Sequence, residues 1–225
     1  VLQEVLIWWA ATDVDTDPDI LSRSEHLRAS RFRFERDRRR WLAARVLLRR
    51  VLGEYLDRQP SSLTFTCSER GKPSLEGQGV RFNLSHSGDL AVCAVTTVAE
   101  IGVDIEHIRP VEDIERLFMT ISSVREFSAF QVLPAQEKLR AFFDAWTVKE
   151  ACVKATGAGL ATPLAEIEVL SAAGGERSIT AGSESWSVLR FSPHPACAGA
   201  VALATRQDYA IRAIVRQYHV GEARA

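Results

Sequence analysis

Apolar positions recur along the chain with two periods, and the periods predict where strands and helices lie. Residues 5–11 are a continuous apolar run before a polar, acidic stretch, and read as an opening strand. Trp41, Ala44, Leu48, Val51, Leu52 and Tyr55 follow at three- and four-residue steps, the stripe of an amphipathic helix that Pro60, Ser61 and Ser62 end. After the turn Gly71-Lys72-Pro73, the residues Val80, Phe82 and Leu84 alternate with Arg81, Asn83 and Ser85, the pattern of a half-buried strand. Residues 90–98 and 101–106 continue as strands whose short connection predicts a hairpin. Residues 107–113, with Pro110, read as a hinge, which divides the chain into halves 1–106 and 107–225. In the second half, Ser123-Val124-Arg125-Glu126 has the form of a capping box. A longer helix over 135–156 carries Leu139, Phe142, Phe143, Trp146 and Val153 on one stripe and closes at Gly157 and Gly159. Residues 167–170, 185–191, 199–205 and 209–215 are strand-like. Each half is thus helix with mainly antiparallel sheet, an α+β arrangement.

Composition narrows the class. With 225 residues, 46% of them hydrophobic, the chain is rich enough in apolar side chains to exclude disorder, and 13 Gly with 8 Pro exclude a collagen-like or low-complexity chain. No apolar run approaches the ~20 residues of a membrane span, and residues 5–11 lack the basic flank of a signal peptide, so a soluble cytoplasmic protein is expected. Four cysteines (67, 93, 152 and 197) form no CxxC pair and are expected as reduced thiols. The net charge of −1 hides an asymmetry: ten Arg lie between 28 and 50 against Glu35 and Asp37, and seven acids lie between 100 and 126 against three Arg. Only four basic residues are Lys, and Lys72, Lys149 and Lys154 among them fall in the motifs below. A compact point charge is what a retained lysine supplies.

Strand alternation sends Ile101, Val103 and Ile105 to one face and Gly102, Asp104 and Glu106 to the other. Two such carboxylates repel unless a cation bridges them; their hard oxygens suit Mg2+, and Gly102 leaves room for a bulky ligand. Taken alone, such a pair reads first as a solvent-facing strand edge with ordinary acids. Glu150 falls on or beside the apolar stripe of the long helix, where a carboxylate must be paired or metal-bound, and Lys154 is one turn further on. An ordinary i,i+4 Glu–Lys pair is the alternative. Asn83-Leu84-Ser85-His86-Ser87 runs a strand into a small polar loop whose His86 and hydroxyls could hold phosphate or cap carbonyls; no GxSxG elbow supports a hydrolase. Arg36 to Arg40 enter a helix and suit phosphates, a solvated basic face or a nucleic-acid surface.

Together these pieces resemble the phosphopantetheinyl transferases. Gly102-Val103-Asp104, then 42 residues on Trp146-Thr147-Val148-Lys149-Glu150-Ala151-Cys152-Val153-Lys154, matches the family's bipartite signature at every specified position. Gly71-Lys72-Pro73, the Asn83–Ser87 stretch and the arginine run occur in the expected order, and the length is similar to the larger, surfactin-synthetase-activating type. Ile121-Ser122 depart from the aromatic side chains usual before the Ser123 element. The resemblance implies two similar halves related by a pseudo-twofold axis, with coenzyme A between them. It implies transfer of 4'-phosphopantetheine to a serine of an apo acyl or peptidyl carrier protein, releasing 3',5'-ADP. Asp104, Glu106 and Glu150 would then hold Mg2+, Glu150 would take the serine proton directly or through a water, and Lys154 would neutralise the pyrophosphate. Arg28, Arg40, Lys72, Ser85 and His86 would hold the nucleotide and its phosphates; Lys149 would fix the helix or a loop, and Trp146 belongs to the core. A monomer is implied, without nucleic acid or membrane as partner. A basic nucleic-acid module would leave the acids unused, and a Mg2+-dependent nucleotide hydrolase would leave the Trp146–Lys154 block unexplained.

Overall fold

The structure, a computed structural model, describes residues 2–77, 79–157, 162–169, 177–181, 183–205 and 210–219. Gly159, Leu170 and Tyr209, named above as element ends, lie outside them. The chain opens with strand β1 (Leu2–Ala11) and helices α1 (Arg23–Ala29) and α2 (Glu35–Leu56). Strands β2 (Phe65–Cys67), β3 (Pro73–Leu75), β4 (Arg81–Ser87), β5 (Leu90–Thr96) and β6 (Glu100–His107) follow. Helices α3 (Ile114–Ile121), α4 (Val124–Gln131) and α5 (Ala135–Thr156) lead to strands β7 (Arg177–Ala181), β8 (Glu184–Phe191), β9 (Cys197–Ala204) and β10 (Ala210–Gln217).

The stripe from Trp41 to Tyr55 lies within α2, but the helix stops at Asp57, which turns left-handed at φ 51°, before the short 3-10 turn at Pro60–Ser62. The capping box at Ser123 is present, with Glu126 returning to the Ser123 N–H. A second capping box, Ser22 with Glu25, starts α1, which the arginine-rich sequence masked. Helix α5 ends at Gly157, in the left-handed conformation.

Two four-stranded sheets organise these elements, in the orders β10-β1-β5-β4 and β6-β9-β8-β7, beside a small β2-β3 ladder. Every pairing is antiparallel except β1 with β10, so the last strand returns to complete the first sheet. The hairpin expected between residues 90–98 and 101–106 does not form. Both edges of β5 are already taken, by β1 and β4, so β6 starts the second sheet and pairs with β9, Asp104 opposite Ala200.

The core is layered. Leu47, Leu48 and Leu52 of α2 cover Trp8, Phe82 and Cys93 on the outer face of the first sheet. Val148, Cys152 and Ala155 of α5 cover Trp186, Val188, Ala200 and Ala202 on the outer face of the second. Between the sheets, Val5, Ile7, Val92 and Ile211 meet Ile101, Val103, Ile105 and Val201, all essentially inaccessible to water. The α+β class with mainly antiparallel sheets is the observed one. Helices α3 and α4 are joined by Phe118 stacked on Phe130, with centroids 4.0 Å apart, and α3 meets α5 where Phe118 stands edge-on to Phe142. Among the described residues, no helix is long and apolar enough to cross a membrane.

One glycine sets the distance between α5 and β6. A Cβ at Gly102 would lie 2.0 Å from the Ala151 carbonyl oxygen and 2.4 Å from the Ala155 nitrogen. The space at Gly102 therefore belongs to the α5 backbone, not to a ligand as its sequence context suggested, and the close contact brings Glu150 and Lys154 over the carboxylate face of β6.

Candidate active site

The two sheets meet along β4 and β6, and the polar face of β4 makes the junction. Asn83 Oδ1 accepts the Val103 N–H at 3.0 Å, Ser85 Oγ donates to Asp104 Oδ1 at 2.8 Å, and Ser87 Oγ donates to Glu106 Oε2 at 2.6 Å. Every second side chain of β4 thus reaches across to β6, which explains why Asn83 and Ser85 are buried although alternation alone placed them toward solvent, and why Ser87, read as loop, is a buried strand residue.

Asp104 sits in the middle of this seam, 4% exposed. Its Oδ1 accepts from Lys154 Nζ at 2.5 Å as well as from Ser85, and Lys154 also reaches Ser85 Oγ at 3.0 Å. Its Oδ2 is buried without a hydrogen-bond partner. Glu106 and Glu150 stand close by, both half-buried. Burial foremost, then the Asp104 and Glu106 charges against the pull of Lys154, push the Glu150 carboxyl above the usual range. Burial likewise raises Glu106, with Asp104 adding to the shift and the Ser87 hydroxyl opposing it. The i,i+4 pair considered for Glu150 and Lys154 is not what forms: Lys154 spends its hydrogen bonds on Asp104 and Ser85.

Among the described residues, no three Asp, Glu, His or Cys side chains stand ready as a closed metal cage. The donor set nevertheless fits a hard divalent cation. Two half-buried carboxyls, Glu106 and Glu150, raised by burial and by the Asp104 charge, with one buried Asp104 oxygen orphaned, are short of positive charge, and a lysine partly compensates.

A groove leads to this cluster. A cavity of ≈ 590 Å³ is lined by Arg28, Trp41, Arg45, Phe65 and His86. A second, of ≈ 280 Å³, is lined by Lys72, Glu150, Val153 and Lys154. The two share Gly71, Pro73, Asn83 and Leu84 as walls and so adjoin. Arg28 lies over the Trp41 ring, 5.7 Å from its centroid. Lys72 Nζ donates to the Ala155 carbonyl at 2.7 Å and to Glu100 at 2.9 Å, tying the Gly71 turn to the end of α5. Arg40 grips Asp89 through Nε at 2.8 Å, just beyond β4. His86 is open to solvent along one edge; protein crowding its inner side, with Lys154 and Arg40, lowers its pKa against the opposing Asp104. Ser85 faces away from the Arg28–His86 cavity, and Asp104 takes its single proton.

Much of the arginine run is committed internally. Arg45 and Arg49 both bind the buried Glu25, Arg38 pairs with Glu35, and Arg39 pairs with Asp15. Sequence reasoning missed Glu25 because no periodic pattern distinguishes it from a surface acid. Lys149 is fully buried and donates to Glu126 at 2.9 Å and to the Leu164 and Ile167 carbonyls, so it fixes α4 and the segment that follows α5, as expected. Trp146 stacks on Phe142 in the helical core.

Comparison with known proteins follows the same line. The model for the 4'-phosphopantetheinyl transferase superfamily matches residues 100–213, and the model for the N-terminal region of 4'-phosphopantetheinyl transferase matches residues 9–98. HetI, a 4'-phosphopantetheinyl transferase of Nostoc sp., is 42% identical over 188 residues, covering 82% of this chain and 78% of its own length. Sfp, a 4'-phosphopantetheinyl transferase of Bacillus subtilis, is 31% identical over 161 residues, covering 71% of this chain and 70% of its own. The two family models abut between β5 and β6, where one sheet gives way to the other, and with both sheets matched the chain belongs to the 4'-phosphopantetheinyl transferase superfamily as an enzyme similar to the Sfp type.

Proposed function

We propose that this enzyme transfers the 4'-phosphopantetheine group of coenzyme A to a serine hydroxyl of an apo acyl or peptidyl carrier protein and releases 3',5'-ADP. The observation that carries this reading is the orphaned, buried Asp104 Oδ2 beside Glu106, Glu150 and Lys154, at the end of a groove that starts at Arg28 and His86. Arg28, Lys72 and His86 would hold the nucleotide and its phosphates along that groove, joined by Arg40, which lines neither cavity and would have to release Asp89 to reach them. Ser85 joins them only by turning its hydroxyl from Asp104. Bound by Asp104, Glu106 and Glu150, Mg2+ would supply Lewis-acid stabilisation of charge developing on the pyrophosphate oxygens. The carrier serine oxygen forms a bond to the phosphorus that bears pantetheine, and the bond from that phosphorus to the bridging oxygen breaks with its electrons leaving on 3',5'-ADP. Glu150, directly or through a water, accepts the serine proton. Lys154, bonded to Asp104 in the free enzyme, would neutralise the pyrophosphate. One polypeptide supplies every group, which agrees with a monomer.

The test is to incubate the enzyme with coenzyme A, Mg2+ and an apo carrier, and to weigh the carrier for one added phosphopantetheine. Asp104→Ala should abolish the mass gain while leaving the fold intact, and higher coenzyme A should not restore it. Full activity under strict chelation would overturn the metal assignment. Arg40→Ala and His86→Ala should mainly raise the coenzyme A KM, each by about tenfold, the scale of one lost phosphate contact of ~1–3 kcal/mol.

A further inference from the structure

We propose that Ser87 is a positioning residue that aims the Glu106 carboxylate into the site, an inference that rests on the metal-assisted transfer read above. Ser87 closes β4 and is 8% exposed. Its Oγ donates to Glu106 Oε2 at 2.6 Å and accepts the His107 N–H at 3.2 Å. A hydroxyl has one proton, and the backbone donor on its oxygen leaves that proton facing Glu106. The contact is therefore directional: Oε2 is anchored to β4, and the other carboxylate oxygen is left for the site.

Two further features hold this anchor in place. Gly88, in the left-handed conformation at φ 56°, lies under the His107 ring, where a Cβ would come within 2.9 Å of His107 Cδ2. The end of β6 is thereby clamped to the turn that follows Ser87. At the other end of the seam, Asn83 holds the Val103 N–H, so the spacing of β4 and β6 is set on both sides of Asp104. On its outer side, Glu106 has a competing partner in Arg109, 3.8 Å away and mostly exposed. Without the Ser87 hydroxyl that charge would draw the carboxylate toward solvent.

A purely structural Ser87 would affect stability alone, whereas a positioning Ser87 sets metal affinity. The full-length enzyme, without coenzyme A or carrier, is titrated with Mn2+ as the probe, free ion being read by electron paramagnetic resonance. Ser87→Ala and the near-isosteric, weakly donating Ser87→Cys are compared with wild type and with Asp104→Ala, folding being checked by near-ultraviolet circular dichroism. Both Ser87 variants should bind Mn2+ tenfold or more weakly, the usual effect of losing a hydrogen bond to a metal ligand. Their KM for Mg2+ should rise in step, and their KM for coenzyme A should stay at the wild-type value. Wild-type Mn2+ affinity in folded Ser87→Cys, with binding lost in Asp104→Ala, overturns the positioning role and leaves the site assignment standing. Wild-type binding in Asp104→Ala removes the metal site itself, and the Ser87 inference with it.

Discussion

At Glu150, catalysis and stability pull in opposite directions. Burial and the Asp104 and Glu106 charges disfavour its ionised form, and its one helical neighbour of opposite sign, Lys154, is hydrogen-bonded elsewhere. Glu150→Gln keeps the size of the side chain and removes both its charge and its basicity. Carrier modification should fall by at least ~100-fold, the usual worth of a positioned proton acceptor. In chelating buffer at neutral pH the same variant should melt at or above the wild-type temperature, because a crowded, partly buried carboxylate has been neutralised. A surface role predicts the reverse pair of results: near-normal turnover with a slightly lower melting temperature. Rate and chelated melting curve on this one protein separate the two.

Helices α1 and α2 are joined by a buried ion cluster whose energetics follow pH. Burial raises the Glu25 carboxyl, but hydrogen bonds from Arg49, Ser22 and Arg45, with the Arg45 charge, outweigh that and hold it down at about 2. The depressed value means that Glu25 contributes stability fully present above pH ~4.5 and lost as pH falls through the folded value, on the order of 3 kcal/mol in all. Glu25→Gln should therefore destabilise by about that amount at pH 7. In urea unfolding the gap to wild type should narrow steadily below pH 4.5; a constant gap would mean that the cluster stabilises by shape alone. The same cluster shows where reading by pattern stops. Helix α5 was legible because its apolar residues repeat on one stripe, and the Asp104–Glu106 and Glu150–Lys154 pairs because their spacings put them on shared faces. Helix α1 was not, because its Glu25 is a polar residue that becomes interior only once Arg45 and Arg49 of α2 pair with it. The bonds of Asn83, Ser85 and Ser87 to β6 hid for the same reason: a polar strand face looks like solvent until another strand arrives to bond with it. The hairpin expectation failed because chain proximity says nothing about edges already occupied, and β5 had none free.

Across the whole molecule, one apolar layer joins what the chain order separates. Val5, Ile7, Val92 and Ala94 from the first sheet share it with Ile101, Val103, Ile105, Val201 and Leu203 from the second, and Ile211 on β10 closes it at 1% exposure. The parallel ladder of β10 on β1, continued by the Tyr218 N–H to the Trp9 carbonyl at 2.7 Å, ties the last described strand to the first. The groove runs across the same boundary, with Arg28 and His86 on one side and Glu150 and Lys154 on the other. Neither sheet can loosen without exposing this layer and opening the groove, so unfolding should be a single transition. The chain carries its own reporters: Trp8 in the first sheet and Trp186 in the second, both buried. Single-tryptophan versions retaining one or the other should give coincident denaturation curves. Ile211→Ala, which empties part of the shared layer, should cost about 2–5 kcal/mol. At ~2–4 °C per kcal/mol for a chain of this size, both curves should move together by roughly 4–20 °C. The coenzyme A KM of the folded fraction should be unchanged, since Ile211 lines no part of the groove. If Ile211→Ala shifted the Trp8 curve and left the Trp186 curve in place, the sheets would be separate folding units, and the site at their seam would owe its geometry to the Asn83, Ser85 and Ser87 contacts alone.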